Sequence, residues 1–272
     1  MSTILIPTDF SDTARNAFVY AVKLFGKDNQ YILLNTFEEP HSTGASMISL
    51  RDVMEEGSLE GLAEECIHIK NILGEDTPEI TSISEYGSSV NSILRVARTK
   101  GINLIVMGTT GASGLKEVVM GSVAAGVIQE SLVPVLAIPS NYVFRKPKNI
   151  LLAADLKSNI DAEHLTMLKS IADAANGKIT VVTVESDDDD ISMDDVEQGY
   201  NMHVQLENIE HAFEVVENED VELALSLFAN ANDMDMIVTI PRKSNWFQRL
   251  LNPSISRKLA QHQQRPVLAL TR

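Results

Sequence analysis

The sequence predicts an α/β protein built from two copies of one plan, each a doubly wound parallel sheet of five strands with helices on both faces. Three observations lead there. Apolar runs of five to seven residues alternate with amphipathic stretches of helical length, the pattern of βα units whose strands are buried on both sides. A gap-free internal match recurs along the chain, the mark of a duplicated unit. A glycine-bearing loop follows one strand and precedes a helix, which is where open parallel sheets bind ligands.

In the first half, strands are expected near residues 3–8, 31–37, 80–84, 102–107 and 134–138, with helices between them. The first helix, near residues 12–26, gathers Ala14, Ala17, Phe18, Ala21, Val22, Leu24 and Phe25 mostly on one face and ends at Gly26, a C-cap residue. The stretch from Pro40 to Gly57 reads as a loop prone to insertion, with His41 in solvent.

The second half repeats this order. Ile4–Asp9 matches Ile150–Asp155 at an offset of 146, and Ile105–Ile138 matches Ile237–Leu270 at an offset of 132, so the second copy is 14 residues shorter in between. Ser122 pairs with Ser254, Gln129 with Gln261, and Pro134-Val135-Leu136-Ala137 with Pro266-Val267-Leu268-Ala269. A polar, proline-containing stretch from Asn141 to Lys148 joins the copies, giving domains over 1–144 and 145–272.

Composition narrows the function classes. The 272 residues are 44% hydrophobic and 22% charged, enough to bury a core in each copy. The formal charge of −16 argues against nucleic acid as partner, because that affinity comes largely from Lys and Arg displacing counterions. The single cysteine, Cys66, cannot close an intrachain disulfide and fits a reduced compartment, so a cytoplasmic location is expected. There is no basic leader at the start and no run approaching the roughly 18 apolar residues of a membrane helix. No membrane partner is therefore expected.

The loop carries the chemistry. Its spacing is Gly108-x2-Gly111-x9-Gly121-Ser122, running out of Val106-Met107. Glycine lets backbone N–H groups approach an anion, and the first amides of the following helix have no intrahelical partner. The pattern is neither the Walker loop nor the G-x-G-x-x-G turn of dinucleotide folds. Together with Ile4-Leu5-Ile6-Pro7-Thr8-Asp9-Phe10-Ser11 it resembles the ATP-binding branch of the universal stress protein family.

That resemblance implies strand order 3-2-1-4-5, with the crevice between the ends of strands one and four. It implies that Pro7, Thr8, Asp9 and a strand-two residue near Asn35 meet adenine and ribose. Met107, Gly108 and Gly111, with Gly121, Ser122 and Val123, would hold ribose and phosphates. ATP with Mg2+ is the implied ligand, since an acidic chain must meet a polyphosphate with amides, hydroxyls and a divalent cation. Asp9 could accept from the sugar or base, reach the metal through water, or serve as a turn or N-cap residue ahead of the first helix.

In the second copy the three glycines become Ile240, Lys243 and Pro253, and proline has no N–H to donate. One nucleotide site per chain follows, with Ser254 and Asp155 left as cap or turn residues. The implied role is a nucleotide-responsive regulatory or binding module. The alternatives are slow ATP hydrolysis, for which Lys116 is the one basic residue in the loop, and a nucleotide-independent dimeric scaffold. The family's pairing through strand five, here Val135–Ile138 and Val267–Leu270, implies an intrachain pseudo-dimer and is compatible with a homodimer.

Other features read more plainly. His164, His203, His211 and His262 show no zinc-ligand spacing. Asp187–Asp190 with Asp194 and Asp195 reads as a solvated acidic loop, calcium binding being the alternative. Arg242–Leu251, with Trp246 and Phe247, reads either as a contact surface or as a plug in the vacated second cradle.

Overall fold

A computed structural model describes residues 2–39, 47–109, 120–154, 160, 162–185, 193–240 and 265–271. The chain divides into two compact units, Met1–Tyr142 and Val143–Arg272. The first runs β1 (Thr3–Thr8), α1 (Asp12–Phe25), β2 (Gln30–Phe37), α2 (Met47–Leu73), a short 3-10 turn (Gly74–Asp76), β3 (Ile80–Tyr86), α3 (Ser89–Thr99), β4 (Leu104–Gly108), α4 (Ser122–Glu130) and β5 (Val135–Ile138). All its strand pairs are parallel, in the order β3-β2-β1-β4-β5.

Burial explains why β1 is central. Ile4, Leu5 and Ile6 are almost completely shielded, as expected of a strand with neighbours on both edges and helices over both faces. Helix α1 starts at Ser11, whose hydroxyl accepts from the Ala14 amide, and ends where the Gly26 amide reaches the Val22 carbonyl. Its apolar face, including Ala14, Ala17, Phe18 and Val22, is buried. Phe18 meets Tyr31 of β2 with ring centroids 5.6 Å apart, and the Tyr31 hydroxyl donates to the Gly26 carbonyl at 2.6 Å.

Helix α2 overturns one expectation. Residues 47–57 are helical, not loop. Its inward residues are Ser58, Leu62, Glu65, Ile69 and Leu73, a helical spacing interrupted by two polar groups, which hides the apolar stripe from a hydrophobicity count. Glu65 is only 2% exposed and is met by Arg15 of α1: Nε donates to Oε1 at 2.9 Å and Nη2 to Oε2 at 2.7 Å. Arg15 Nη1 also donates to Asp12 at 2.6 Å. The Glu65 hydrogen bonds raise the guanidinium above its ordinary value despite the opposing cost of partial burial.

The second unit contains, among its described residues, β6 (Asn149–Ala153), α5 (Thr166–Ala175), β7 (Lys178–Glu185), α6 (Met193–Gln205), β8 (His211–Glu217), α7 (Val221–Ala231), β9 (Met236–Thr239) and β10 (Val267–Ala269). Its parallel pairs give β8-β7-β6-β9-β10, the order of the first unit. Ile4 pairs with Leu104 and Ile150 with Met236, so the pairings reproduce the offsets of 146 and 132 read from the sequence. The shortening lies between the second and third strands, where the 27-residue α2 gives way to the 13-residue α6.

Breaking the bidentate pair tests the docking of α1 on α2. Arg15→Ala leaves a buried carboxylate without its partner and should cost about 3 kcal/mol. Glu65→Ala should cost less, because Arg15 keeps Asp12 and 19% exposure. The Arg15→Met/Glu65→Leu double variant should recover most of the loss. Urea unfolding followed by circular dichroism measures all three.

Candidate functional site

Strand order reverses at β1, because β2 lies on one side of it and β4 on the other. Connections that leave in opposite directions open a crevice beyond the carboxyl ends of those strands. The first unit places Thr8 and Asp9 at the end of β1, Met107 and Gly108 at the end of β4, and Gly121, Ser122 and Val123 at the start of α4.

Close contacts join these segments. Gly108 packs on Thr13 in the first turn of α1 so closely that a Cβ there would lie 2.5 Å from Thr13 Cγ2 and 3.2 Å from its carbonyl group. The Gly121 amide donates to the Thr109 carbonyl at 2.7 Å, one residue beyond β4. Gly121 is the N-cap of α4, and among the described residues no side chain caps that helix. Among the described residues the first amides of α4 thus meet no capping hydroxyl or carboxylate, an arrangement that suits an external anion. Ser122, exposed on the first turn, adds a hydroxyl.

The β1 turn is internally braced. The Thr8 hydroxyl accepts from the Phe10 amide at 2.9 Å. Asp9 Oδ1 accepts from the Ser11 amide at 3.2 Å and the Ser11 hydroxyl at 2.5 Å. Asp9 is therefore a turn residue, and Ser11, not Asp9, caps α1. The Asp9 side chain is nevertheless exposed at the crevice end of β1.

Asn35 is buried and hydrogen-bonded within the protein. Its buried carboxamide donates to the Thr8 carbonyl at 2.8 Å and accepts from the Ser58 hydroxyl at 2.7 Å, while Ser84 donates to Ser58 at 2.7 Å. It braces Thr8 from beneath. Pro7 is half-buried in β1 opposite Leu34, and Met107 is buried in β4 opposite Ala137. The Asn35 network joins β1, α2 and β3, and nothing in the local sequence around Ser58 announces its distant partners.

Two further residues escaped the sequence. Phe10 adopts φ 64°, a left-handed conformation rare for an aromatic residue. Its ring occupies the space above Gly61 of α2, where a Cβ would lie 2.6 Å from the ring. A glycine inside a helix was the available signal. Gly57 carries the same signal in the same helix and meets nothing within 4 Å.

Gly111, Gly114 and Lys116 of the loop lie outside the described residues, as do His41, Asp155, Asp187–Asp190, Lys243, Trp246, Phe247, Pro253, Ser254 and His262, and the side chains of Asp194 and Asp195. In the second unit Ile240 follows β9 where Gly108 ends β4. No described helix is long and apolar enough to cross a membrane.

The Gly108 contact is testable by stability. Gly108→Ala should lower the unfolding free energy by about 1–3 kcal/mol through overpacking against Thr13. Adding Thr13→Ser, which removes the nearest methyl, should return part of it in thermal melts.

Comparison with known proteins places the architecture. A model of the universal stress protein family matches twice, over residues 1–139 and 146–271. A universal stress protein of Methanocaldococcus jannaschii is 34% identical over 151 residues, covering 50% of this chain and 93% of that protein. Universal stress protein YxiE of Bacillus subtilis is 32% identical over 145 residues, covering 50% of this chain and 97% of its own. The crystal structure of a universal stress protein from Archaeoglobus fulgidus covers 100% of this chain and 96% of its own, with a TM-score of 0.72 at 21% identity, a likeness of fold. With its family model matched in both halves and a shared strand order in both units, the chain belongs to the universal stress protein family as a tandem of two such domains.

Proposed function

We propose that the first unit binds an adenine nucleotide, ATP with Mg2+, and that the protein acts as a nucleotide-responsive regulatory or binding module. The observation that carries this reading is the α4 N-terminus: its N-cap is Gly121, with no side-chain cap among the described residues, it is tied to Thr109 by the Gly121 amide, and it follows the end of β4 at the strand-order reversal. In this reading the amides of Ser122 and Val123 and the Ser122 hydroxyl hold phosphate oxygens. The Asp9 carboxylate meets ribose, base or a water on the metal. Pro7, Thr8 and Met107 form the floor, with Asn35 acting through Thr8, and Gly111 belongs to the covering loop. Bound magnesium would supply the positive charge that this acidic chain lacks. The second unit is silent, since Ile240 brings a side chain to the place of Gly108.

Calorimetric titration of nucleotide-free protein with ATP and magnesium should give one site per chain. Ser122→Ala should weaken it about three- to tenfold, the scale of one lost hydrogen bond. Gly121→Val should abolish it without unfolding the protein, because φ −62° and ψ 150° at this N-cap suit a β-branched residue. Unchanged affinity in both variants, or no binding by wild type, would sink the reading. Removing magnesium should weaken ATP more than AMP, which has fewer phosphate oxygens for the metal to bridge.

A further inference from the structure

Helix α6 and strand β8 bring together two histidines that their sequence spacing did not connect. Nδ1 of His203 lies 2.8 Å from Nε2 of His211, with ring centroids 4.9 Å apart. Nδ1 of His211 lies 2.7 Å from the Ile209 carbonyl oxygen. A carbonyl can only accept, so that nitrogen carries the proton, and in the neutral ring Nε2 presents its lone pair to His203. A backbone carbonyl holding the far nitrogen is how metal-ligating imidazoles are oriented. Phe213 stands edge-on to His211 at 5.8 Å and flanks its ring.

The fold does not ask for an imidazole here. His211 pairs with Ile179 at the start of β8, and the matching position of β3, opposite Tyr31, is Ile80. An aliphatic residue serves the same register in the first unit. His203 is exposed and His211 half-buried, so both residues border solvent.

We propose that His203 Nδ1 and His211 Nε2 form a binding site for a divalent metal ion of the nickel, copper and zinc group. Two nitrogens at cis positions of a tetragonal ion, each about 2.05 Å from it, stand about 2.9 Å apart, and at tetrahedral positions about 3.4 Å. The observed 2.8 Å is close to the first value. The two nitrogens now face each other across a hydrogen bond, so binding requires the exposed His203 ring to turn its lone pair toward the ion, its proton passing to Nε2. Among the described residues no group of three His, Cys, Asp or Glu side chains is placed to hold a metal ion. In the proposed site the two imidazoles supply the protein ligands and water completes the shell. Imidazole selects against magnesium, which prefers oxygen.

The full chain, free of nucleotide and with excess MgCl2, would be titrated with NiCl2 by calorimetry and by long-range 1H–15N spectra of the imidazoles. Paramagnetic broadening should appear first at His203 and His211, with His164 unaffected at the same nickel ratio. Affinity for this site should fall at least tenfold in His203→Ala, at an exposed position, and in His211→Ile, which copies the first unit's residue. Circular dichroism checks that both variants remain folded. Nickel binding of equal affinity in wild type and His203→Ala, or no broadening of these two imidazoles at saturating nickel, would overturn the proposal.

Discussion

The central position of β1 is the constraint on which the first unit depends. With β2 on one edge and β4 on the other, Ile4, Leu5 and Ile6 have no face or edge in water. The helical crossovers must then leave to opposite sides, since parallel connections keep one hand. The crevice is the space those departures leave behind. Its floor is tightened by the approach of β4 to α1, possible only because Gly108 carries no side chain toward Thr13. A residue that looks from the sequence like a provision for ligand is also a provision for packing.

Much of the fold was legible because parallel strands buried on both faces write themselves as apolar runs. The expected first helix, 12–26, is Asp12–Phe25 with Gly26 as its cap. Strand β4 was expected from residue 102 but begins at Leu104: Ile102 is apolar and buried, yet its amide is held by the Ala97 carbonyl in the turn after α3. Helix α2 runs back through Gly57 to Met47, although glycine ordinarily marks a loop. Its inner face includes Ser58 and Glu65, whose polarity is satisfied by Asn35 and Arg15, partners distant in sequence. A pattern read along one chain segment cannot see a neutralising partner on another.

The segments that frame the candidate site were legible in the sequence, and the contacts of individual atoms were less so. Thr8, Asp9, Gly108, Gly121 and Ser122 fall at strand and helix ends around one crevice, as strand–loop–helix logic requires. What individual side chains do there depends on long-range neighbours. Asn35 turns inward to the Thr8 carbonyl, and the Asp9 carboxylate holds the turn before α1. The His203–His211 meeting belongs to the same class: eight positions apart on a helix and a strand, they converge through a turn whose geometry the spacing does not announce.

The contraction of α2 to α6 has a colloidal consequence. Strand β8 lies at one end of its unit's strand order, and Phe213 and Val215 on it are exposed, as are Val196, Tyr200 and Val204 along α6. A strand with one unpaired side and apolar side chains in water is a template for unwanted pairing, ordinarily restrained by charge. Here Glu214 and Glu217 on the strand and a chain charge of −16 provide that restraint. Such repulsion acts over a Debye length of about 10 Å at 0.1 M salt and about 3 Å at 1 M. Ionic strength is thus the variable that governs how closely two of these molecules tolerate one another.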